Sequence, residues 1–302
     1  MIKVAILLST YNGQDYIERQ VHSIYRQSYQ DFQLYIRDDG SSEEFVNQLR
    51  EMKKQYGFTI IEGTNLGFVG SFMELLKEVD DAELYAFADQ DDVWLPDKLQ
   101  TTVEWFERRN SENKQFCQKP VLFHSAYDVI NSNDEVVGHF YFPNEKYDFR
   151  RSITENHYSG FAMAINRTLR EYMLKGNVDK IGYHDWWAAM IVQAFGVGYS
   201  DEKVTALHRA HGDNITTFNL KTRLQWLKKS LCEESELHKR AVEFERCFND
   251  DLSLEDRKIL QLFTIERYSF IYALKKAFHP KRWRPVMTSE VVMRLLMLLG
   301  RI

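Results

Sequence analysis

Apolar and polar positions follow a repeating pattern over the N-terminal third of the chain. Four short segments are continuously apolar: 3–8, 32–36, 58–61 and 84–88. Such segments are typical of parallel strands that are buried on both faces. Each is followed by a segment whose apolar residues recur every three or four positions, which predicts a helix. A strand followed by a helix, four times in succession, indicates an α/β fold with a mostly parallel sheet flanked by helices.

The pattern changes after the fourth predicted helix, at 96–109. An apolar strand at 121–126 is followed by a segment at 136–142 that we expect to return antiparallel. A helix is predicted to open at Tyr183, and a further strand at 204–207 follows it.

Only helical patterns occur from about Leu220 onward, beginning with a long helix expected at 221–248. We therefore predict two domains, an α/β domain at 1–215 and a C-terminal helical extension at 216–302.

Every predicted parallel strand ends in a polar segment. These segments are Ser9–Gly13, Asp38–Ser42, Asn65–Gly67 and Asp89–Asp92. Sheets of this type bind ligands in the crevice at the carboxyl ends of their strands. We therefore expect the four segments to line one ligand site.

The last of these segments is the most acidic, with carboxylates at Asp89, Asp91 and Asp92. Carboxylates this close repel one another and raise each other's pKa unless a cation lies among them. Hard cations such as Mg²⁺ and Mn²⁺ take oxygen ligands and often share their shell with substrate phosphates. The segment predicts a metal–diphosphate site, and the alternative is a solvated acidic turn that caps the next helix.

Composition and charge exclude several classes of function. The net charge is −5, which gives no global argument for a nucleic-acid partner. The three cysteines, Cys117, Cys232 and Cys247, form no CxxC pair, so we expect a reduced, cytoplasmic compartment. No signal peptide or transmembrane segment of roughly 18 apolar residues is expected. Neither a GxGxxG motif nor a P-loop occurs.

Six segments, in this order, carry a family resemblance: Leu8–Gly13, Asp38–Ser41, Asn65–Gly67, Asp89–Trp94, His184–Trp187 and Arg209–His211. Together they resemble the inverting family 2 glycosyltransferases, which have a GT-A fold. Within that family the chain looks most like bacterial rhamnosyltransferases that build cell-wall or capsular polysaccharide. The resemblance covers about residues 1–215.

The resemblance implies roles for the residues at the strand ends. The residues implied to bind the donor are Ser9, Thr10, Tyr11, Asp39, Asn65, Gly67, Asp89 and Arg209. The DxD motif of the family matches Asp89 and Asp91, and Asp91 is the first metal ligand that it implies. His211 matches a histidine that completes the shell of Mn²⁺ or Mg²⁺. The alternatives are turn formation for Asp38 and Asp39 and an ordinary surface position for His211.

Asp185 matches the catalytic base of the family. A carboxylate there would take the proton from the acceptor hydroxyl as its oxygen attacks the anomeric carbon. The alternative is helix N-capping, for which aspartate is well suited. The acceptor side is expected to comprise His184, Trp186, Trp187 and Trp94. A place in the core for one of the tryptophans is the competing interpretation.

The resulting functional hypothesis is transfer of a sugar from a nucleotide-diphospho donor to a hydroxyl of a glycan acceptor by single displacement. The resemblance implies L-rhamnose from dTDP-rhamnose and a polyprenyl-linked acceptor. A sugar nucleotidyltransferase is one alternative, although Ser9–Gly13 lacks the basic, glycine-rich character expected of a triphosphate loop. A catalytically silent carbohydrate- or metal-binding protein is the other.

The C-terminal tail is basic and apolar. From Lys275 to Ile302 there are seven Lys or Arg residues and one Glu. The apolar segment Val291–Leu299 is too short to span a bilayer core of about 30 Å. We expect it to lie on an anionic membrane surface with Trp283 at headgroup level, which would place the protein at the inner face of the membrane. The alternatives are packing onto the extension or a homodimer contact.

Overall fold

The structure is a computed structural model that describes residues 2–143, 147–210 and 235–302. Within these ranges nine strands form one sheet in the order β3-β2-β1-β4-β8-β6-β9-β5, with β7 paired to β6. The strands are β1 (Val4–Thr10), β2 (Phe32–Asp38), β3 (Thr59–Glu62), β4 (Leu84–Asp89), β5 (Val93–Trp94), β6 (Val121–Ile130), β7 (Val136–Phe140), β8 (Met163–Asn166) and β9 (Val197–Arg209).

Helices cover the sheet and continue beyond it. Those of the α/β part are α1 (Ile17–Tyr25), α2 (Glu43–Tyr56), α3 (Gly67–Glu78), α4 (Lys98–Glu112), α5 (Phe149–Thr154), α6 (Arg167–Met173), α7 (Val178–Ile181) and α8 (His184–Phe195). Those of the extension are α9 (Glu236–Phe248), α10 (Leu254–Leu260), α11 (Phe270–Ala277) and α12 (Met287–Leu298).

The four predicted strand–helix units form the parallel half of the sheet. Strand β1 lies between β2 and β4 and is parallel to both. Its central residues are fully buried because helices pack on both faces. The register pairs Ser9 with Arg37 on one side and with Asp89 on the other. The predicted polar segments therefore emerge together at one edge of the sheet.

The second half of the sheet is mixed, as the change of pattern predicted. Strand β8 runs antiparallel to β4 and β6, while β9 is parallel to β6. Strand β7 returns antiparallel on β6, which confirms that prediction. Strand β9 begins at Val197, earlier than expected. It contains an irregularity that places Asp201 and Val204 opposite consecutive residues of β6. The polar residues inserted there hide the strand from a search for apolar positions.

The extension shares its core with the α/β part. Phe244 and Phe248 of α9 lie in the same apolar cluster as Trp187 of α8. The ring centroids of Trp187 and Phe244 are 5.3 Å apart, and those of Trp187 and Phe248 are 5.9 Å apart. The segment 221–234 of the expected helix lies outside the described residues, and α9 begins at Glu236, with Ser235 as its N-cap residue.

The tail folds as a pair of helices, α11 and α12, and Trp283 between them is completely buried. Its indole N–H donates to the carbonyl oxygen of Lys276 at 2.9 Å, and its backbone N–H donates to Glu290. The expectation that Trp283 lies at headgroup level is therefore wrong. None of the helices in the described ranges is long and apolar enough to cross a bilayer.

Candidate active site

The loop after β1 is tied to the acidic loop after β4 by Gln90. The Oε1 atom of Gln90 accepts from the Thr10 hydroxyl at 2.7 Å and from the Tyr11 backbone N–H at 2.9 Å. A Cβ atom on Gly13 would lie 2.4 Å from the same oxygen, so a larger residue there would displace the Gln90 side chain. The sequence analysis missed Gln90, although it lies between two aspartates of the acidic segment.

The two aspartates of the loop after β2 have different hydrogen-bond partners. The Oδ2 atom of Asp38 accepts from the backbone N–H groups of Gly40 and Ser41, as turn formation requires. Asp39 is buried and its Oδ1 atom accepts from Leu66 N–H at 2.9 Å and from the Arg37 guanidinium. The role of Asp39 in donor binding stays a prediction.

The remaining predicted donor residues lie at the same edge. The Ser9 hydroxyl donates to that of Ser71 at 2.6 Å. The side chain of Asn65 accepts from Gly67 N–H at 3.1 Å, and Gly67 has a φ of 71°, which favours glycine. The Tyr11 side chain is exposed at this edge. The structure thus brings these predicted residues together on adjacent loops.

The acidic loop holds the three carboxylates together around a histidine. Asp92 is buried, and its Oδ1 atom lies 2.8 Å from His208 Nδ1 and accepts from Arg209 N–H. Burial and the nearby charges of Asp92 and Asp91 raise the pKa of Asp89. Burial alone would lower the pKa of His208, but its hydrogen bond to Asp92 and the acidic charges raise it. His208 is a second residue that the sequence analysis missed.

The donor atoms of this loop fit a hard cation that shares its shell with phosphate. No three Asp, Glu, His or Cys side chains form a complete metal shell within the described ranges. His211, the predicted third protein ligand, lies outside those ranges. The Oδ2 atom of Asp92 is buried and has no hydrogen-bond partner among the described residues. Two carboxylates with substrate phosphates are a common set of ligands for Mg²⁺.

Arg209 is already engaged by protein groups. Its guanidinium pairs with Asp134 at 2.8 Å and donates to the carbonyl oxygens of Asn131 and Asp91. The side chain is almost completely buried. In this structure Arg209 therefore supports the acidic loop, and the expected pairing with a diphosphate would require it to exchange these partners.

Asp185 lies in the first turn of α8, and its Oδ1 atom accepts from Trp186 N–H at 2.7 Å. Burial raises the pKa of Asp185 to about 6, while the N–H groups of Trp186 and Gly160, the Asn156 side chain and the charge of Arg240 oppose that rise. The N-cap position of α8 is Tyr183. The alternative that Asp185 is the N-cap residue is therefore wrong, and a carboxyl group of this pKa suits a general base near neutral pH.

Three residues expected on the acceptor side belong to the core. Trp187 is 0% exposed and its indole N–H donates to the carbonyl oxygen of Met173. Trp94 is buried against α1 and α4. His184 is buried between Phe72 and Phe87, and burial lowers its pKa to about 3. The prediction that these three residues face the acceptor is therefore wrong. Trp186, the fourth residue of that prediction, remains partly exposed beside Asp185.

Two other aromatic side chains are exposed beside the base. Phe68 is 52% exposed and Tyr183 is 49% exposed, and their ring centroids are 5.7 Å apart. Phe68 also lies 6.2 Å from the ring of His184. Neither residue was predicted from the sequence. Phe68 follows the Asn-Leu-Gly turn directly and has the same spacing as the buried residues of α3.

The chain belongs to glycosyl transferase family 2, whose family model matches residues 5–174. This family transfers sugars, and the sheet and its loops are those of a GT-A fold, as the sequence predicted. The match covers more than half of the chain, including all four strand-end loops.

Two curated relatives have low sequence identity to the chain. The chain is 26% identical over 266 residues to a dTDP-rhamnosyl transferase, RfbG, of Shigella flexneri, covering 81% of this chain and 85% of that protein. It is 24% identical over 183 residues to an Escherichia coli glucosyltransferase, WfgD. That protein is named for UDP-Glc and an α-D-GlcNAc-diphosphoundecaprenol acceptor, and the alignment covers 61% of this chain and 68% of WfgD.

Solved structures support the fold. TarS of S. aureus, residues 1–349 in complex with UDP, superposes with a TM-score of 0.56 at 14% identity, covering 93% of this chain and 76% of that one. The same protein in complex with UDP-GlcNAc gives a TM-score of 0.54 at 13% identity, covering 99% and 91%. At this identity the likeness concerns the fold alone.

Proposed function

We propose that the protein is a metal-dependent inverting glycosyltransferase that moves a sugar from a nucleotide-diphospho donor to a hydroxyl group of a glycan acceptor. The observation that carries the proposal is the placement of Asp185. Its carboxyl group has a pKa of about 6 and is close enough to the acidic loop for its charge to raise the pKa of Asp89. A base on one side and a diphosphate-binding loop on the other are what a single displacement requires.

In this mechanism Asp185 accepts the proton of the acceptor hydroxyl while that oxygen attacks the anomeric carbon of the donor. The new bond joins the acceptor oxygen to the anomeric carbon, and the bond from that carbon to the diphosphate oxygen breaks. The electron pair leaves with the nucleoside diphosphate, and the configuration at the anomeric carbon inverts. No covalent intermediate with the protein forms.

Asp89 and Asp91 are the residues that would hold Mn²⁺ or Mg²⁺, together with phosphate oxygens of the donor. The chemistry that such a cation supplies is neutralisation of the charge on the departing diphosphate. Asp91→Asn should weaken Mn²⁺ binding measured by electron paramagnetic resonance in the presence of a nucleoside diphosphate. Asp250→Asn, which removes an exposed carboxylate on the extension, is the control. Equal Mn²⁺ affinity in both variants would refute the assignment.

L-Rhamnose from dTDP-rhamnose is the proposed donor, supported by the similarity to the rhamnosyl transferase of Shigella flexneri. UDP-glucose is the competing donor because of the similarity to the Escherichia coli glucosyltransferase. A thermal-shift comparison of the two nucleotide sugars with Mn²⁺ discriminates them, since a ligand that binds only the folded state stabilises it. Stabilisation by UDP-glucose alone would overturn the rhamnose proposal.

The exposed aromatic pair, Phe68 and Tyr183, is the proposed contact for the acceptor glycan. Aromatic faces offer a large apolar surface with a polar edge, and both rings lie beside the helix turn that carries Asp185. This pair replaces Trp187, Trp94 and His184, which are buried. A polyprenyl-linked acceptor remains the proposal, supported by the name of the Escherichia coli relative.

Attachment to an anionic membrane surface is proposed for the helix pair α11 and α12. Helix α12 exposes an apolar stripe at four-residue spacing: Met287, Val291, Leu295 and Leu299. Exposed basic residues on and around the pair supply the complementary charge: Lys275, Lys281, Arg282 and Arg301. An amphipathic surface of this kind suits the membrane interface, where each basic residue contributes about 1 kcal/mol.

A matched pair of variants tests the membrane proposal. Leu295 is 53% exposed on the stripe, and Leu254 is 74% exposed on α10. Leu295→Glu should reduce sedimentation with anionic liposomes in low salt, whereas Leu254→Glu should not. If neither the wild type nor either variant sediments, and Leu295→Glu instead converts a dimer to a monomer, the stripe is a contact between two copies of the chain.

The base is tested by Asp185→Asn with dTDP-rhamnose, Mn²⁺ and a polyprenyl-diphosphate glycan. Donor and metal affinity should remain, while kcat should fall by roughly 10²-fold or more, the scale of general-base loss. A catalytically silent binding protein would release no nucleoside diphosphate in either form. A sugar nucleotidyltransferase would release diphosphate from a nucleoside triphosphate, an activity that neither family nor loop chemistry favours.

A further inference from the structure

Arg240 of α9 is the most deeply buried arginine side chain of the described ranges, at 1% exposed. Its Nε and Nη1 atoms have no hydrogen-bond partner among the described residues. The guanidinium carbon lies 3.7 Å from the centroid of the Trp186 ring. Burying a charged group with two unpaired N–H donors is unfavourable, so packing alone does not explain an arginine at this position.

The charged and titratable groups that face Arg240 come from several elements. They are Asp185 of α8, Glu236 one turn earlier on α9, and the hydroxyl groups of Tyr147 and Tyr183. Among these groups, the negative charge of Asp185 does most to raise the pKa of Arg240. Burial lowers the pKa of Arg240 to about 10, so the side chain stays charged at neutral pH.

Gly182, just before α8, is fitted to the same guanidinium. It has a φ of 75°, and a Cβ atom there would lie 2.8 Å from Nη1 of Arg240. The start of α8 and the end of the Arg240 side chain therefore occupy one tightly packed space. Any movement of the guanidinium would disturb the helix turn that carries Asp185 and Trp186.

We propose that Arg240 is a positioning residue for the catalytic base, which stacks on Trp186 and fixes the first turn of α8. The proposal rests on the proposed function in assigning the base to Asp185. The positive charge of Arg240 also favours the ionised form of Asp185.

The test compares Arg240→Met and Arg240→Lys with the wild type. Arg240→Met keeps a long apolar side chain but removes the charge. It should move the acid limb of kcat/KM to higher pH, because the charge of Arg240 favours the ionised form of Asp185. Arg240→Lys restores the charge and should return most of that shift. An acid limb that stays unchanged in Arg240→Met would overturn the proposal and leave a packing role.

Arg246 supplies the control on the same helix. Its exposed side chain pairs with Glu243, so Arg246→Met removes a charge from α9 without touching α8. This variant should leave the pH profile unchanged. Melting temperatures of all variants identify any loss of activity that comes from unfolding rather than from the base.

A measurement without turnover separates this proposal from the proposed function. The titration of Asp185 can be followed by NMR of protein carrying ¹³C at the aspartate carboxyl carbon, with the resonance identified by its absence in Asp185→Asn. Arg240→Met should raise the pKa of that resonance. A raised pKa of Asp185 in Arg240→Met without detectable sugar transfer by the wild type would support the role of Arg240 and refute the glycosyltransferase assignment. Sugar transfer with an unchanged pKa would refute the role of Arg240 and leave the glycosyltransferase assignment standing.

Discussion

Activity should fall as the pH falls through about 6, well above the range of an ordinary aspartate. Burial raises the pKa of Asp185 from 3.8 to about 6, even though backbone N–H groups and Arg240 favour its charged form. Only the ionised carboxylate accepts a proton from the acceptor hydroxyl. The acid limb of kcat/KM should therefore report this carboxyl group in the free enzyme.

The size of the effect follows from the pKa of Asp185. With a pKa of about 6, roughly nine tenths of the carboxyl groups are ionised at pH 7 and roughly one tenth at pH 5, so kcat/KM should drop by about tenfold. An aspartate with the ordinary value would lose less than about a tenth of its ionised form over the same interval.

The assay is release of nucleoside diphosphate at saturating Mn²⁺ between pH 5 and pH 8. Donor affinity must be measured at each pH, because the raised pKa values of Asp89 and His208 would affect donor binding over an overlapping range. The residual activity of Asp185→Asn should show no acid limb in its pH profile of kcat/KM. A wild-type limb near pH 4, or the same limb in Asp185→Asn, would refute the reasoning.

Three further variants test the site and its support. Gln90→Leu removes the acceptor for Thr10 and Tyr11 and should weaken donor binding by about 1–3 kcal/mol in calorimetry; an unchanged Kd would mean that the loop holds without it. Phe68→Ala should raise KM for the acceptor roughly 2- to 10-fold with donor Kd unaffected, and an effect on the donor instead would reassign the ring. Phe244→Ala should cost about 3–5 kcal/mol in urea unfolding, and a loss below about 1 kcal/mol would contradict a shared core.

The parallel half of the fold and its ligand edge were predictable because fully buried strands are continuously apolar. The same logic located the loops that carry Thr10, Asp39 and Asp89, since parallel strands end at one edge. It failed at β9, where the polar insertion opposite β6 interrupts the apolar pattern. Hydrogen bonds such as those of Gln90 depend on two loops meeting, which no local pattern specifies.

The acceptor side was poorly predicted because a motif fixes neighbours in sequence but not the faces of a helix. Asp185, Trp186 and Trp187 are consecutive, so in a helix they point about 100° apart from one another. Trp186 remains partly exposed, while Trp187 turns into the core. Trp187 is buried by the packing of α9, whose position the sequence does not supply.

The buried face of α9 explains why the extension belongs to the site. Arg240, Phe244 and Phe248 follow one another at four-residue spacing and all are buried. The two phenylalanines pack on Trp187, as a helix that only completes a core would do. An apolar residue at position 240 would continue that face at lower cost, because a buried guanidinium with two unpaired N–H donors is unfavourable. The arginine lies instead against the turn that carries Asp185, where its charge favours the ionised base. The same helix thus stabilises the core with its later residues and supports the base with an earlier one.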